Sequence, residues 1–273
     1  MLRMTQNLHT HCIYCDGKNT PREMAERAIA LGFDTLGFSS HANTIFNDTC
    51  ELGTQVDEYR TEILRLKDEY SDRLEILLGT ELDRYSAGCY TDDYDYKIAS
   101  VHYGIKDGEK VCYDFSAEHS ERLISRLFGG CGMDYARLYF ETMADMPRHI
   151  DGDFVGHFDL LTKYEYRAPH LFDTGAPEYR KMALEALSAV REKFEFFEVN
   201  TGTIGRGYKP TPYPAPFILD GMRELKCKLL ITSDCHNAAH LDCGFDTAVE
   251  LIRAHGFTEI YNLTPSGFQG VKI

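Results

Sequence analysis

The sequence predicts an α/β fold in which short parallel strands alternate with helices, arranged as a barrel or an open sheet. Seven short apolar runs are bounded by glycine and turn residues, a pattern typical of buried strands. Helical patterns lie between several of these runs, and such tight strand–helix–strand succession favours a parallel arrangement. The predicted strands cover residues 4–8, 35–38, 74–82, 96–101, 154–157, 196–200 and 229–233.

Helix signals follow the first strand at once. Thr20 is suited to the N-cap, Pro21 to the first turn and Glu23 to a capping box, and Gly32 is suited to the C-terminal end. Apolar residues at helical spacing predict further helices, and a last short strand closes the pattern. These elements cover residues 56–70, 178–194 and 245–255 for the helices, and 259–263 for the strand.

Residues 104–150 are too many for a simple connection between strands. Asp107-Gly108 predicts a hairpin turn, and glycines at 129, 130 and 132 break the helical pattern of residues 116–146 into one or two helices. We expect a helical insertion on a single domain that spans residues 1–273. Residues 202–216 form a loop rich in glycine and proline, and its length and specific composition are not those of a plain linker.

Composition limits the classes of partner. The 273 residues include 29 Lys and Arg against 43 Asp and Glu, for a net charge of −14, and 43% of them are hydrophobic. Nucleic acids and anionic membranes require basic patches, so we expect neither as a partner. The chain has no apolar stretch near the roughly 20 residues that span a bilayer. The first strand begins close to the N-terminus, so we expect no signal peptide and a cytoplasmic protein.

Nine cysteines are scattered along the chain from Cys12 to Cys243. Cys12 and Cys15 form a C-x-x-C pair, which leaves a redox or zinc-binding role open. The sequence has no second such pair, and reduced thiols in a cytosolic protein explain the pattern better than a disulfide framework. We expect Cys12 and Cys15 to pack around neighbouring ligand residues.

Polar side chains suited to metals follow the predicted strands. Residues at the carboxyl ends of parallel strands gather on one face, where active sites form. In His9-x-His11 and Asp234-x-His236, the period-two alternation of a strand directs both side chains of each pair to one face. A single histidine there could merely cap backbone groups, but the set together predicts a polynuclear metal site. Its members are His9, His11, Asp16, His41, Glu81, His102, His157, Asp234 and His236.

Two residues of this region carry a further expectation. A carboxylate can bridge two metals through its two oxygens, and Glu81 is suited to that role. Arg206, between Gly205 and Gly207, could hold two phosphoryl oxygens with its guanidinium fork. We expect the remaining histidines to be surface or structural residues: His119, His149, His170, His240 and His255.

The motifs at these positions resemble a known family. The sequence resembles the polymerase-and-histidinol-phosphatase (PHP) family over nearly its whole length, and most closely the branch that acts on L-histidinol phosphate. The resemblance is carried, in order, by LHTHCIYCDG, GFSSHA, GTELD, SVHYG, VGHFDLLTKY, EVNTGTIGRGYKPTPYP and ITSDCHNA.

The resemblance implies a distorted (β/α)7 TIM-like barrel with two or three divalent metal ions, zinc, iron or manganese, at the carboxyl ends of its strands. It implies three ligand sets. The first comprises His9, His11, Glu81 and Asp234, the second Glu81, His102 and His157, and the third Asp16, His41 and His236.

The implied activity is hydrolysis of L-histidinol phosphate, a small-molecule phosphate ester of histidine biosynthesis, by a metal-bridging hydroxide. Asp16, His41, Glu81 and His236 are the expected catalytic residues. A histidine or aspartate near the third metal would protonate the leaving alkoxide, and the sequence does not identify it. Arg206 is the expected phosphate ligand, and Lys163, Arg167 and Asn43 are further candidates for substrate binding.

Several alternatives stay open. A related phosphoesterase could act on another phosphate ester or a small nucleotide, although a nuclease would need a basic track that this chain lacks. Amidohydrolases also begin with H-x-H on a barrel strand, but they typically bridge metals with a modified lysine where Glu81 stands here. A purely structural metal site would be closed and rich in cysteine. The sequence leaves the oligomeric state open.

Overall fold

The computed structural model describes residues 5–87 and 93–273. Strands and helices alternate along most of the chain. The strands are β1 (Gln6–Asn7), β2 (Thr35–Phe38), β3 (Glu75–Asp83), β4 (Tyr96–Ser100), β5 (Tyr103–Lys106), β6 (Glu109–Cys112), β7 (Phe154–Val155), β8 (Phe196–Asn200), β9 (Lys228–Thr232), β10 (Glu259–Thr264) and β11 (Gly267–Lys272). The helices are α1 (Pro21–Leu31), α2 (Val56–Glu69), α3 (Ala117–Leu127), α4 (Gly132–Asp145), α5 (Pro177–Arg191), α6 (Gly202–Gly205), α7 (Pro216–Glu224) and α8 (Phe245–Ala254).

Seven strands form one parallel sheet in the order β1-β2-β3-β4-β7-β8-β9. Its two edges meet just beyond β1 and β9, where the His11 backbone N–H donates to Cys235 O at 2.8 Å and the Cys235 N–H donates to His9 O at 3.1 Å. The sheet is thus nearly closed into a seven-stranded barrel. The predicted fold is confirmed, and all seven predicted strands are present with small shifts at their ends; residue 4 of the first lies outside the described residues.

The cap of α1 shows how local sequence sets an element. The Thr20 side chain accepts from the Glu23 N–H at 3.2 Å, and the Glu23 carboxylate accepts from the Thr20 N–H at 2.8 Å. Pro21 occupies the first turn, and Gly32 ends the helix in the left-handed conformation with φ 71°. The predicted bounds of this helix are therefore confirmed.

The segment 104–150 contains the predicted elements. β5 and β6 form an antiparallel hairpin whose turn is Asp107-Gly108, and the helical stretch is divided into α3 and α4. Phe140 on α4 packs edge-to-face on Tyr179 of α5, with ring centroids 5.3 Å apart. The predicted strand at 259–263 is present as β10. Sequence reasoning missed its antiparallel partner β11, which has two glycines and little apolar alternation, and the nine-residue α7.

Two apolar layers stabilise the barrel. Leu36, Leu78 and Val199 lie in the larger core between strands and helices, whereas Leu77 and Ile98 belong to the smaller core inside the barrel. The C-terminal hairpin covers this inner core where the strands begin, because Phe268 of β11 stacks on Phe196 with ring centroids 4.0 Å apart. The opposite end, where the strands finish, is left for polar side chains. In the described ranges, no helix combines the length and apolar character needed to cross a membrane.

Candidate metal centre

The predicted ligands lie together at the carboxyl ends of the barrel strands. His9 and His11 follow β1, His41 lies beyond β2, and Glu81 lies near the end of β3. His102, His157 and Asp234 follow β4, β7 and β9 in the same way, with Asp16 and His236 beside them. The structure therefore brings together all nine side chains that the sequence singles out, although several are more than 200 residues apart in the chain.

The first implied set lies deepest in the barrel. His9 Nε2 is 3.2 Å from Glu81 Oε2 and 3.6 Å from Asp234 Oδ1. His11 Nε2 is 3.5 Å and 3.4 Å from the same two oxygens. Ligand atoms about 2.0–2.2 Å from a tetrahedral zinc lie about 3.3–3.6 Å apart, so this spacing suits a cation between them.

The second set uses the other oxygen of Glu81. Glu81 Oε1 lies 3.3 Å from His102 Nε2 and 3.1 Å from His157 Nε2. It also accepts a hydrogen bond from Ser100 Oγ at 2.7 Å. Oε2 faces the first set and also lies 3.0 Å from His41 Nδ1 of the third set, whereas Oε1 faces the second set. The carboxylate therefore has the geometry expected of a bridge between cations.

The third set lies nearer the solvent. Asp16 Oδ1 is 3.6 Å from His41 Nε2 and 3.2 Å from His236 Nε2. The side chains of Asp16, His41 and His236 are 37%, 15% and 18% exposed, whereas those of His9 and Glu81 are fully buried. This set is therefore the one that an incoming ligand can reach most directly.

Buried atoms without partners test whether the residues fit metal ions. Within the described part of the chain, His9 Nε2, His11 Nε2 and Glu81 Oε2 are buried and have no hydrogen-bond partner. A buried polar atom that lacks a partner is costly unless a ligand or ion completes it. All three atoms point to one place, and imidazole with carboxylate is a donor set for zinc, iron or manganese. The residues therefore fit the implied metals.

The electrostatics of the cluster are strongly coupled. Burial disfavours a charged His9, but the carboxylates of Glu198 and Glu81 outweigh burial and raise the pKa of His9 well above its ordinary value. Burial, with the nearby charge of His236, lowers the pKa of His11 to about 3. Burial would raise the pKa of Glu81, but the surrounding histidines, led by His9, hold it well below its ordinary value. Without metal, protons on some histidines thus balance the buried carboxylates.

Asp234 is held in an unusual conformation. Its φ is 44°, in the left-handed region that non-glycine residues seldom occupy, at a cost of about 1–2 kcal/mol. Arg206 holds it there: Nη2 donates to Asp234 Oδ2 at 2.7 Å, and Nη1 donates to its carbonyl oxygen at 3.0 Å. Burial would disfavour a charged carboxyl, but Arg206 and His9 keep the pKa of Asp234 well below its ordinary value. Asp234 is therefore a fixed anion.

Arg206 also faces the cleft. Its Nη1 lies 2.8 Å from His236 Nδ1, and, within the described ranges, its buried Nε has no hydrogen-bond partner. The residue lines a cavity of about 440 Å³ with members of the ligand set, in the size range of small-molecule sites. Other residues lining this cavity are Lys18, Asp114, Lys163, Tyr208 and His240. His240, which the sequence suggested to be surface or structural, is thus at the cleft.

The other predicted substrate residues have different surroundings. Lys163 lines the same cavity, and its Nζ donates to Asp114 Oδ2 at 3.2 Å. Arg167 is exposed and donates to Gly207 O at 3.3 Å, so it contacts the loop that carries Arg206. The Asn43 amide bonds the backbone of Gly53, at 2.8 Å through its nitrogen and 2.7 Å through its oxygen. Neither Arg167 nor Asn43 is among the described residues that line this cavity.

Sequence reasoning missed two carboxylates behind the ligands. Glu198 Oε2 lies 2.9 Å from His9 Nδ1, and Asp83 Oδ2 lies 3.3 Å from His102 Nδ1. Each is a charged residue on a strand whose residues are otherwise mostly buried, and that was the available signal. Asn200, which ends β8, donates to Glu198 and accepts from the Gly202 N–H. It braces the strand end and does not join the ligand set.

Cys12 and Cys15 pack near the cluster as expected. Cys15 Sγ is 3.5 Å from His11 Nδ1, and Cys12 Sγ is 3.5 Å from Ser40 Oγ. The eight cysteines in the described residues are free thiols, and Cys89 lies outside them. Burial raises the pKa of Cys15 beyond its ordinary range, so its thiol is protonated at neutral pH.

The fold and the cluster define a metal-binding (β/α)7 barrel of a particular family. The family described as PHP domain matches residues 7–202, well over half of the chain. The chain therefore belongs to the PHP domain family.

Relatives match over nearly their full length. The histidinol-phosphatase of Bacillus subtilis is 26% identical over 270 residues, which cover 89% of this chain and 97% of the relative. The histidinol-phosphatase of Lactococcus lactis is 24% identical over 283 residues, which cover 100% and 97%. A crystal structure of the L. lactis histidinol phosphate phosphatase, complexed with zinc, L-histidinol and phosphate, has a TM-score of 0.72 at 20% identity, covering 97% of this chain and 98% of that one. The structural likeness confirms the fold.

Proposed function

We propose that this chain is a metal-dependent phosphomonoesterase that hydrolyses L-histidinol phosphate to L-histidinol and phosphate. One observation carries the proposal: three sets of metal-type donors, two of which share Glu81, lie together at a cleft that Arg206 lines. The full-length relatives named above as histidinol-phosphatases support the substrate, as does the relative complexed with L-histidinol and phosphate. The proposed cofactors are two or three ions of zinc, iron or manganese, and the proposed setting is cytoplasmic histidine biosynthesis.

The proposed ligand roles follow the distances. His9, His11, Glu81 and Asp234 would hold the first ion, and Glu81 with His102 and His157 the second. Asp16, His41 and His236 would hold the third. Bound divalent ions would supply Lewis acidity toward phosphoryl oxygens and lower the pKa of bound water.

Protein groups supply binding and proton transfer. Arg206 lines the cavity with a side chain that is 21% exposed, and its guanidinium has donors beyond those that bond Asp234, so it can donate to a phosphoryl oxygen. Lys163 adds a second positive charge at the cavity wall, while Asp114 keeps its ammonium in place. Because both cations are paired with a carboxylate, the proposed metal ions would supply most of the positive charge by which a chain of net charge −14 binds an anion.

Release of the alcohol requires a proton at the leaving oxygen. Asp16, His41 and His236 are the predicted catalytic residues at the exposed side of the cluster, where a leaving group would depart. We assign the proton transfer to this group, with Glu81 as the shared carboxylate beneath it. The side chains of His9, His11 and Glu81 in the first set are fully buried, so an ion held there would act on a phosphoryl group in a site of low dielectric constant.

The test is phosphate release from L-histidinol phosphate by protein loaded with Mn²⁺, Zn²⁺ or Fe²⁺, beside a generic aryl phosphate. We expect a kcat/KM of about 10⁴–10⁸ M⁻¹s⁻¹ for L-histidinol phosphate, far above that for the aryl ester. Turnover of the aryl ester alone, or better turnover of a small nucleotide, would refute the proposed substrate and retain the phosphoesterase class.

A matched pair of histidine variants controls for nonspecific effects. His9→Ala removes a buried member of the first set, and we expect it to abolish hydrolysis. His149→Ala removes a half-exposed histidine whose Nε2 lies 3.0 Å from Asp145 Oδ2, away from the cluster, and should leave hydrolysis unchanged. Metal analysis of both proteins should show lost metal in the first variant alone.

A further inference from the structure

Glu198 is a buried carboxylate that the mechanism above does not use. It lies in the middle of β8 with only 1% of its surface exposed. Its neighbours Phe197 and Val199 belong to the core between strands and helices, so alternation along the strand directs Glu198 into the barrel. A charged group there is costly unless hydrogen-bond donors surround it.

Four donors surround it. Oε2 accepts from Thr232 Oγ1 at 2.6 Å and lies 2.9 Å from His9 Nδ1. Oε1 accepts from Asn200 Nδ2 at 2.8 Å and from the backbone N–H of His157 at 2.5 Å. The donors lie on β8 itself and on or just beyond the ends of β1, β7 and β9. Glu198 therefore links four strands of the barrel through hydrogen bonds.

This arrangement determines which nitrogen of His9 carries a proton. Since the three other contacts are donors to the carboxylate, its remaining lone pair toward His9 is satisfied by an Nδ1–H. Nε2 faces the cluster, where Glu81 Oε2 lies 3.2 Å away, and its lone pair becomes available to a metal ion when the second proton of His9 leaves. A ligating histidine typically donates its other N–H to a carboxylate in this way.

We infer that Glu198 is a positioning residue for the metal centre: it holds His9 as the Nδ1–H tautomer and fixes the backbone at His157. The inference rests on the proposed metal centre. Glu198 is not itself a ligand, because both of its oxygens already accept two hydrogen bonds each. One carboxylate therefore orients a ligand of the first set and a ligand of the second.

The amide variant Glu198→Gln tests this directly. A glutamine has the same shape, but its NH₂ group must face either the two donors on the Oε1 side or those on the Oε2 side. If the NH₂ group faces the Oε1 side, it meets the N–H donors of Asn200 and His157. If it faces the Oε2 side, His9 must accept at Nδ1 and carry its proton on Nε2, which faces the cluster. We expect zinc affinity, measured by competition with a chromophoric chelator, to fall about 10- to 100-fold.

Two controls separate positioning from general damage. Thr232→Val removes a donor from the same Oε2 and leaves the His9 contact, and should change zinc affinity by less than about threefold. Asp153→Asn changes a carboxylate that accepts from the Lys97 N–H at 2.7 Å where β4 begins, at the other end of the barrel, and should leave zinc affinity unchanged. Equal losses in all three variants would overturn the inference.

The tautomer provides a spectroscopic readout. In ¹⁵N-histidine-labelled, zinc-loaded protein, we expect a protected Nδ1–H signal that is missing in His9→Asn and shifted or lost in Glu198→Gln. An unchanged signal together with zinc affinity within twofold of the starting protein would refute the role. If Glu198→Gln does not fold, Glu198→Asp keeps the charge but withdraws the oxygens, and should weaken zinc binding to a smaller extent.

Chelator competition needs no substrate, which separates this inference from the proposed function. Protein that binds zinc tightly but releases no phosphate from L-histidinol phosphate would refute the proposed function and leave the role of Glu198 standing. Protein that hydrolyses L-histidinol phosphate, but whose zinc affinity is insensitive to Glu198→Gln, would support the proposed function and refute the role of Glu198.

Discussion

Replacement of Arg206 by Ala or Lys tests whether this residue binds the phosphate group of the substrate. A guanidinium has five N–H donors. Two of those in Arg206 bond the Oδ2 and carbonyl oxygens of Asp234, and a third lies within reach of His236 Nδ1. The donors that are left include the second N–H of Nη2, and the side chain, 21% exposed, lines the cleft. The residue can therefore hold Asp234 and a phosphoryl oxygen at the same time.

The expected change in substrate and phosphate affinity corresponds to the loss of one hydrogen bond to a charged group. A hydrogen bond to a charged group contributes about 1.5–3 kcal/mol, which corresponds to about 10- to 150-fold in affinity. Arg206→Ala should raise the KM for L-histidinol phosphate and the inhibition constant of inorganic phosphate by that factor. Arg206→Lys keeps the charge but loses the fork, so its effect should be smaller.

The assay must separate phosphate binding from support of Asp234. Loss of the Arg206–Asp234 contact should also weaken metal binding, because Asp234 would lose the group that fixes its left-handed backbone. Inhibition by inorganic phosphate is therefore measured at saturating metal, where metal affinity no longer limits the result. If Arg206→Ala then leaves the inhibition constant within twofold, Arg206 supports Asp234 and does not bind phosphate.

Three further predictions follow from the same geometry. A Cβ at Gly202 would lie 2.7 Å from Arg206 Nη2, so Gly202→Ala should raise KM as Arg206→Lys does; an unchanged KM would show that the guanidinium can move. Because carboxylates outweigh burial and raise the pKa of His9 well above its ordinary value, the metal-free protein holds a proton there at pH 7 that zinc must displace. Calorimetry in buffers of different ionisation enthalpy should show proton release, with affinity falling as pH falls; no proton release would contradict the raised pKa. Tyr96 Oη donates to Leu8 O at 2.5 Å inside the barrel, so Tyr96→Phe should lower the free energy of unfolding by about 1–2 kcal/mol in urea titrations, and an unchanged midpoint would exclude that contribution.

Strands and caps were predictable because their signals are local. Thr20, Pro21 and Glu23 determine the start of α1 by contacts within four residues, and Gly32 ends it through its own backbone conformation. β11 was missed because its glycines and exposed side chains carry little pattern, and its pairing with β10 supplies the stability.

The cluster of metal-type side chains was predictable for a different reason. Each of these residues follows or ends a buried strand, and parallel strands necessarily place their carboxyl ends on one face. Asn200 also ends a strand, but its amide group bonds Glu198 and Gly202 and is not part of the cluster. Asn43, beside His41 in sequence, likewise bonds Gly53. The position of a residue at a strand end determines which region of the fold its side chain enters, whereas the neighbouring groups determine what that side chain binds.

The sequence by itself determined the parallel α/β class, the identity of the metal-type side chains and the end of the strands at which they lie, since all three depend on short-range patterns, and its resemblance to the PHP family implied the barrel. Only the tertiary structure decided which atoms meet. His9 and Asp234 are 225 residues apart in the chain, yet their donor atoms are 3.6 Å apart because the sheet closes between β1 and β9. The pairing of Glu198 with His9 and of Arg206 with Asp234 depends on the same closure. Hydrogen bonds require separations of about 3 Å, and no local pattern specifies such distances across a barrel.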